Sequence, residues 1–439
     1  MTLRPLNPNT KNAPAEMYRA VEGLGVWEHR GKVAAVGIGH SPADRRWDGT
    51  IEKSLGAYAI IAANKCLEDA GVTAGQIDGV VTVPNGMGDP WGPDRPYFEA
   101  PYDTEDGLSG VTADWLVNNV PGLDNVQFKM HGPGCMANAM NVAAQAVGDG
   151  LAHTVLVVRA TGNMPGRYHQ SGTPSGDLTS GPATWEALWG WPGGIPQFGA
   201  GFVEYCNKYG SNHDRLAPFV VNLRTNGLLM PEGYYAQNRA EPFTVDDYLN
   251  SRWISKPMSM NDCDMPIQNA VCYLLTTAER AKDMKQKPVY ILGHATHNGK
   301  ARSVYQTLEE TEEWTSSVAN KLYEASGLSP ADVDVFNAYD GFTLFTQYYL
   351  EAFQWHGVKR GEAHDFYQED LSVKGPHPLL PSGGNNGSGR TRYWHYTDCI
   401  QQLQGRAGPR QVNIKAETAV AGGPLPAGGN WMMFGTSPD

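Results

Sequence analysis

Three short stretches carry the residues best suited to chemistry. In FNAYDGFT, Tyr339 ends a run, VFNAY, that reads as a buried strand. Residues at the carboxyl ends of parallel strands commonly line a site, and a phenol placed there can hold or pass a proton. Its ordinary pKa of ~10 requires a nearby cation, a water relay or a depressed pKa before it acts as a base. Arg390 and Arg392 are the candidate cations. In HGPGC, Cys135 stands just before a helix expected from about Met136 to Val147. A helix N-terminus favours a thiolate and offers free N–H groups, which suits a nucleophile. A buried cysteine without a catalytic role is the plainer reading. His131, at the head of the same stretch, is placed to hydrogen-bond a thioester oxygen. The third stretch is GGNNGSGRTR, whose glycines would let backbone N–H groups approach an anion or carbonyl oxygen closely. Asn386, Ser388 and Gly389 are the expected oxyanion and substrate-binding residues, against the competing reading of an ordinary surface turn.

The elements that must position these residues are visible as a repeat. VAAVG, ending at Gly37, and VYILG, ending at Gly293, both read as short buried strands. LEDAGVTAGQID and LYEASGLSPADVD each read as a helix end, a glycine cap, a turn and the entry to another strand. Gly37 and Gly293 share one offset, 256 residues, with Gly71 and Gly327. Two collinear matches at one offset predict two similar α/β halves, with Gly37 over Gly293 and Asp78 over Asp334. Strands alternating with helices predict a mostly parallel sheet covered by helices. Residues 1–160 form the expected N-terminal half, 161–287 a loop and helical insertion with the end of that half, and 288–439 the C-terminal half. The insertion opens on a Gly-, Pro- and Trp-rich run holding Tyr168, Trp185, Trp189 and Trp191. A loop that long suggests a lid, a binding loop or an assembly surface, and a homodimer is expected.

Composition narrows the classes. The net charge of −12, from 34 basic and 46 acidic residues, argues against a nucleic-acid binder. No apolar run approaches the ~18 residues a membrane span requires, and no secretory leader is apparent, so a cytoplasmic setting is expected. The six cysteines form no CxxC pair, and His294 and His297 have no ligand partners at a recognisable spacing, so no metal is expected. The first strand lacks GxGxxG, which argues against a nicotinamide cofactor.

Most of the chain resembles the thiolase superfamily, in the branch of sterol-carrier-protein-type thiolases and thiolase-like lipid-transfer proteins. The resemblance is carried by YCNKYGSNHDRLAPFVVNLRTNG, DYLNSRWISKPMSMNDCDMPIQNAVCYLLTTAERA, PSGGNNGSGRTR with QQLQGRAGPRQV, and the closing AGGPLPAGG. It implies an α/β thiolase fold: two duplicated mixed-sheet halves layered α-β-α-β-α, with a large loop insertion. Where those thiolases carry His-Asp-Cys-Phe, this chain has Tyr339, Asp340, Gly341 and Phe342; near Asn385 and Asn386 it lacks the family's second histidine. The tyrosine resembles thiolase-like aldolases that cleave steroid side chains. That implies retro-aldol cleavage of a 3-hydroxyacyl-CoA, with Tyr339 and Asp340 catalytic and no covalent intermediate. The alternatives are a CoA-dependent thiolase or acyltransferase using Cys135, and a non-catalytic acyl-CoA- or lipid-binding subunit. The resemblance also implies a coenzyme A thioester as substrate. It further implies a separate small DUF35-type partner with an OB fold and a zinc ribbon, zinc residing only in that partner.

Overall fold

The computed structural model describes residues 25–83, 110–131, 135–162, 194–299, 306–423 and 428–439. Nine strands form one sheet: β1 (Val33–His40), β2 (Gly79–Val83), β3 (Phe128–His131), β4 (Thr154–Thr161), β5 (Asn269–Thr277), β6 (Val289–Asn298), β7 (Val335–Ala338), β8 (Thr418–Gly423) and β9 (Gly428–Gly435). Their order is β3-β2-β4-β5-β1-β6-β9-β8-β7. The first five and the last four are two copies of one plan. In each copy a parallel pair, β2/β4 or β7/β8, is followed by two antiparallel neighbours, β5 then β1 or β9 then β6. The place of β3 is taken in the second copy by a single parallel bridge from Phe336 to Leu379. The halves join where Ala34 and Ala35 of β1 pair with Tyr290 and Val289 of β6.

The mostly parallel sheet expected from alternation alone gives way to the mixed-sheet halves that the family resemblance implies. The alternation of strands and helices holds for the β2 and β7 units. β5 and β9, however, enter between β4 and β1, and between β8 and β6, and run antiparallel to both neighbours.

The repeat appears in local detail. The outer helices α1 (Leu55–Ala70) and α5 (Leu308–Ser326) end on left-handed Gly71 and Gly327, at φ of 72° and 68°. An L-residue avoids that region, so glycine is the natural cap. Thr73 and Ser329 then start matching single turns through capping boxes. Asp78 accepts from the backbone N–H groups of His153 and Thr154, at 2.9 and 2.7 Å. Asp334 accepts from Glu417 and Thr418 at 2.7 and 3.0 Å. Each aspartate therefore pins the start of the neighbouring strand, β4 or β8. At Gly37 a Cβ would stand 2.7 Å from the carbonyl oxygen of Cys66, and at Gly293 2.9 Å from the amide nitrogen of Ser326. Both glycines let a strand lie directly against its outer helix.

Side-chain alternation builds the layers. Val33 and Ala35, Val155 and Val157, Tyr273, Ile291, Ala419 and Phe434 face one core with α2 (Met136–Gly148) and α7 (Trp394–Gln404). Ala34, Val36, Leu156, Leu274, Leu292 and Met433 face the other core, with α1 and α5. The helices α2 and α7 thus lie between the two half-sheets and the outer helices cover them. Such two-sided burial is why the strands read as unbroken apolar runs. From the insertion, α3 (Gly194–Tyr209) and α4 (Ala217–Gly227) are described. Tyr168, Trp185, Trp189 and Trp191 lie outside the described residues.

Candidate active site

Tyr339 follows the carboxyl end of β7 and is fully buried. Its backbone is locked by the N–H of Tyr339 to the oxygen of Gly422 at 3.0 Å, and by Thr346 Oγ1 donating to its carbonyl at 3.2 Å. Burial pushes the phenol pKa up and the carboxylate of Asp264 adds to that rise. Arg392 and Arg390 pull it down without prevailing. The two arginines act in the expected direction, and the phenol nevertheless stays protonated at neutral pH.

The decisive geometry surrounds Gly341. A Cβ there would lie 2.3 Å from the Tyr339 hydroxyl oxygen and 2.5 Å from Oδ2 of Asp264. The space a cysteine side chain would need is thus filled by a phenol oxygen and a carboxylate oxygen. Asp264 is 2% exposed and is delivered by a short antiparallel pairing. The N–H of Asp264 donates to the oxygen of Gly341, and that of Thr343 to the oxygen of Asp262, both at 2.9 Å, with Cys263 opposite Phe342 between them. Asp262 anchors this segment, accepting from Tyr248 Oη at 2.6 Å and Thr343 Oγ1 at 2.7 Å, with His213 Nε2 at 2.7 Å.

Asp340 is turned the other way. Its oxygens accept from the N–H groups of Asn385 and Asn386 at 2.8 and 2.9 Å, and Nε2 of His395 lies 3.1 Å from Oδ1. All four groups are buried. This carboxylate caps α6 (Gly384–Ser388) and fixes the position of His395 at the start of α7. The ring of His395 stands 6.5 Å from that of Tyr339.

Asn386, Ser388 and Gly389, the expected oxyanion set, all make hydrogen bonds within the protein. Asn386 donates from Nδ2 to the oxygen of Asn261 at 2.9 Å, and its Oδ1 accepts from Arg224 at 3.0 Å. Ser388 donates its hydroxyl proton to the carbonyl of Ser382. The N–H of Gly389 goes to the oxygen of Asn385 at 2.9 Å. These bonds hold the loop to itself and to the neighbouring residues Asn261 and Arg224. The loop glycines serve packing: a Cβ on Gly383 would lie 2.3 Å from the oxygen of Leu223, and one on Gly387 2.0 Å from the same atom of α4.

Cys135 is the N-cap of α2 and 6% exposed, as the sequence places it. A charge there would be felt by Arg159, at the end of β4. Arg159 is buried; burial, with Arg392 and Arg390 nearby, pushes its pKa down to about 9. Its Nε donates to Thr161 at 3.0 Å. His131 is exposed on the edge strand β3, its ring 3.3 Å from Thr82 Oγ1, and among the described residues it shares no hydrogen bond with the Tyr339 group. Arg392 adopts a left-handed conformation, φ 64°, its N–H held by Asn385 Oδ1 at 2.7 Å. His294 and His297 point to opposite sides of β6, towards Gln145 and Ser317.

Residues 296–433 match the family described as thiolase C-terminal domain-like. Among solved structures, the chain superposes on the Ltp2-ChsH2(DUF35) aldolase with a TM-score of 0.73 and 22% identity, covering 92% of this chain and 98% of that one. The chain has the thiolase fold. An acetyl-CoA acetyltransferase from Syntrophomonas wolfei superposes with a TM-score of 0.61 at 14% identity, over 92% and 98% of the two chains. In sequence, the chain is 28% identical over 412 residues to the 17-hydroxy-3-oxo-4-pregnene-20-carboxyl-CoA lyase of Mycobacterium tuberculosis, spanning 89% of this chain and 97% of that relative. It is 27% identical over 369 residues to the steroid side-chain-cleaving aldolase of Thermomonospora curvata, spanning 81% and 86%. Sequence reasoning missed Asp264, His395 and Arg159. Asp264 carried a faint local signal, the pair Asp262 and Asp264 shortly before a strand, in NDCDMPIQNAV.

Proposed function

We propose that the chain is a cytoplasmic acyl-CoA aldolase, cleaving a 3-hydroxyacyl-CoA into a carbonyl product and a shorter acyl-CoA, with Tyr339 as its acid/base group. The observation that carries this reading is the closed thiol position at Gly341, where a buried phenol oxygen stands in place of a sulfur. A retro-aldol step needs a group to take the hydroxyl proton and positive charge to stabilise the enolate. It needs no acyl-enzyme. The similarity to two steroid side-chain lyases over more than four-fifths of the chain supports the same reaction type. Arg159 and the N-terminus of α2 beside Cys135, a positive end, are suited to hold the enolate oxygen. The likeness to the Ltp2-ChsH2(DUF35) aldolase supports a DUF35-type partner chain.

The test is cleavage of 17-hydroxy-3-oxo-4-pregnene-20-carboxyl-CoA, or of related 3-hydroxyacyl-CoA thioesters, into ketone and shortened acyl-CoA. Tyr339→Phe should lower kcat ~10²–10⁴-fold while acyl-CoA affinity changes little, because the ring still packs and only the proton is lost. Cys135→Ala should be mild. Loss of activity in Cys135→Ala, an acyl-enzyme trapped in the parent and a silent Tyr339→Phe would instead establish a thiolase-type reaction.

A further inference from the structure

We infer that Asp264 is the proton partner of Tyr339, its carboxylate receiving the phenolic proton as Tyr339 takes the proton of the substrate hydroxyl. This rests on the aldolase reading and adds the second acid/base group to it. The geometry comes from a point that both oxygens crowd: each lies within 2.5 Å of where a Gly341 Cβ would stand. Any side chain at 341 would separate them, so glycine there permits the pair.

The carboxylate is held in place by more than one contact. Asp264 is bound by its backbone to Gly341, while the preceding turn is tied down by Asp262, His213, Tyr248 and Thr343. A buried carboxylate is costly unless something holds or uses it. Asp262 and Asp340, its acidic neighbours, are spent on structure: one anchors the 259–264 turn and the other caps α6. Asp264 is the acidic group whose Oδ2 shares with the phenol oxygen the space beside Gly341. Its charge also opposes ionisation of Tyr339, so the phenol gives up its proton to solvent with difficulty. A protonated phenol cannot accept a proton unless it gives one up, and Asp264 supplies the place for it.

In the step, the substrate O–H bond breaks and its proton passes to Tyr339 Oη as the phenol's own proton passes to Asp264 Oδ2. The carbon–carbon bond breaks, its electron pair moving into the thioester as an enolate, and the hydroxyl carbon becomes a carbonyl. Return of the proton through the same pair to the enolate carbon gives the shorter acyl-CoA and restores both residues. Asp264 is thus a positioning and relay residue that acts through Tyr339.

The experiment uses the full chain, with its partner subunit if activity requires one, and 17-hydroxy-3-oxo-4-pregnene-20-carboxyl-CoA as the probe. Asp264→Asn should lower kcat by ~10²-fold or more, with KM within about threefold, and should abolish the acid limb of the kcat–pH profile. Asp264→Glu should recover part of the rate. Asp264→Ala should be rescued, saturably, by added formate, which a purely structural role would not allow. If Asp264→Asn folds poorly, the glutamate variant and the formate rescue decide the matter. An Asp264→Asn enzyme with near-parental kcat, beside an inactive Tyr339→Phe, overturns the role of Asp264 and leaves the aldolase reading standing. A loss of rate in Asp264→Ala that formate does not restore, with an unchanged pH profile in Asp264→Asn, also overturns it. No cleavage by the parent protein of any 3-hydroxyacyl-CoA overturns the aldolase reading itself.

Discussion

Gly341→Ala is the smallest perturbation that tests the geometry of the site. Its new methyl would start 2.3 Å from Tyr339 Oη, 2.5 Å from Asp264 Oδ2 and 2.5 Å from Tyr339 Cζ. Ordinary van der Waals contact needs ~3.5 Å, so the phenol and the carboxylate must together retreat by about 1 Å. Neither can do so easily. Tyr339 is fixed through Gly422 and Thr346, and Asp264 through Gly341 itself. Overpacking of this kind typically costs ~1–3 kcal/mol of stability. A misplacement of about 1 Å at a reacting group can cost ~10²-fold in rate. The expected variant therefore remains folded, with a lowered melting temperature, and loses ~10²-fold in kcat while still binding acyl-CoA. Gly341→Cys should behave alike and should gain no thiolase activity, because the sulfur has no space in which to project. Calorimetry and steady-state cleavage of the steroid thioester read both quantities. A Gly341→Ala enzyme with parental stability and turnover would refute the reasoning, since the phenol oxygen could then not be where the chemistry requires it.

Two further outcomes follow from the same physics. Gly71→Ala and Gly327→Ala both force an L-residue into the left-handed region, at ~1–2 kcal/mol each; Gly71→Ala should cost more, because its Cβ would meet that of Lys285 at 2.9 Å whereas a Cβ on Gly327 would meet Arg30 Nε at an ordinary 3.9 Å, and urea midpoints of the two variants check the order. Burial lowers the pKa of His40 from 6.5 to about 4, with Arg410 and Lys65 also lowering it and Glu232 and Asp69 opposing. The unfolded chain therefore binds the extra proton first: the stabilisation is fully present above pH ~6.5 and is lost as the pH falls towards 4, on the order of 3 kcal/mol in all. Urea unfolding at several pH values should show this slope, and His40→Gln should flatten it.

How much of this was legible in the sequence depends on the range of the interaction involved. The repeat could be read because its signals are local: a glycine that must be left-handed, a capping serine or threonine, an aspartate opening a strand. Gly71 and Gly327, and Asp78 and Asp334, do the same work in each half. Tyr339 could be placed at a strand end for the same reason. The glycine-rich loop was ambiguous because glycines that admit a ligand and glycines that admit a helix look alike in sequence. Here they admit α4 and Asp340. Mixed strand direction was hidden in the local pattern too, since β5 and β9 carry no mark of which neighbours they will enter between.

The residues that escaped notice are those brought in from far along the chain. Asp264 reaches Tyr339 only because residues 262–264 pair with 341–343, and that pairing depends on the buried Asp262 cluster with His213 and Tyr248. His395 meets Asp340 through α7, and no local signal shows which carboxylate that helix will face. The two aspartates flanking the reacting phenol thus divide the work. Asp340 spends its charge on α6 and His395 and so fixes the floor of the site. Asp264 places an oxygen in the space beside Gly341 that the Tyr339 oxygen also enters. Under the aldolase reading proposed above, that division gives a thiolase fold without the acid/base cysteine an acid/base pair at the same position: the loss of one Cβ at 341 makes room for the two oxygens.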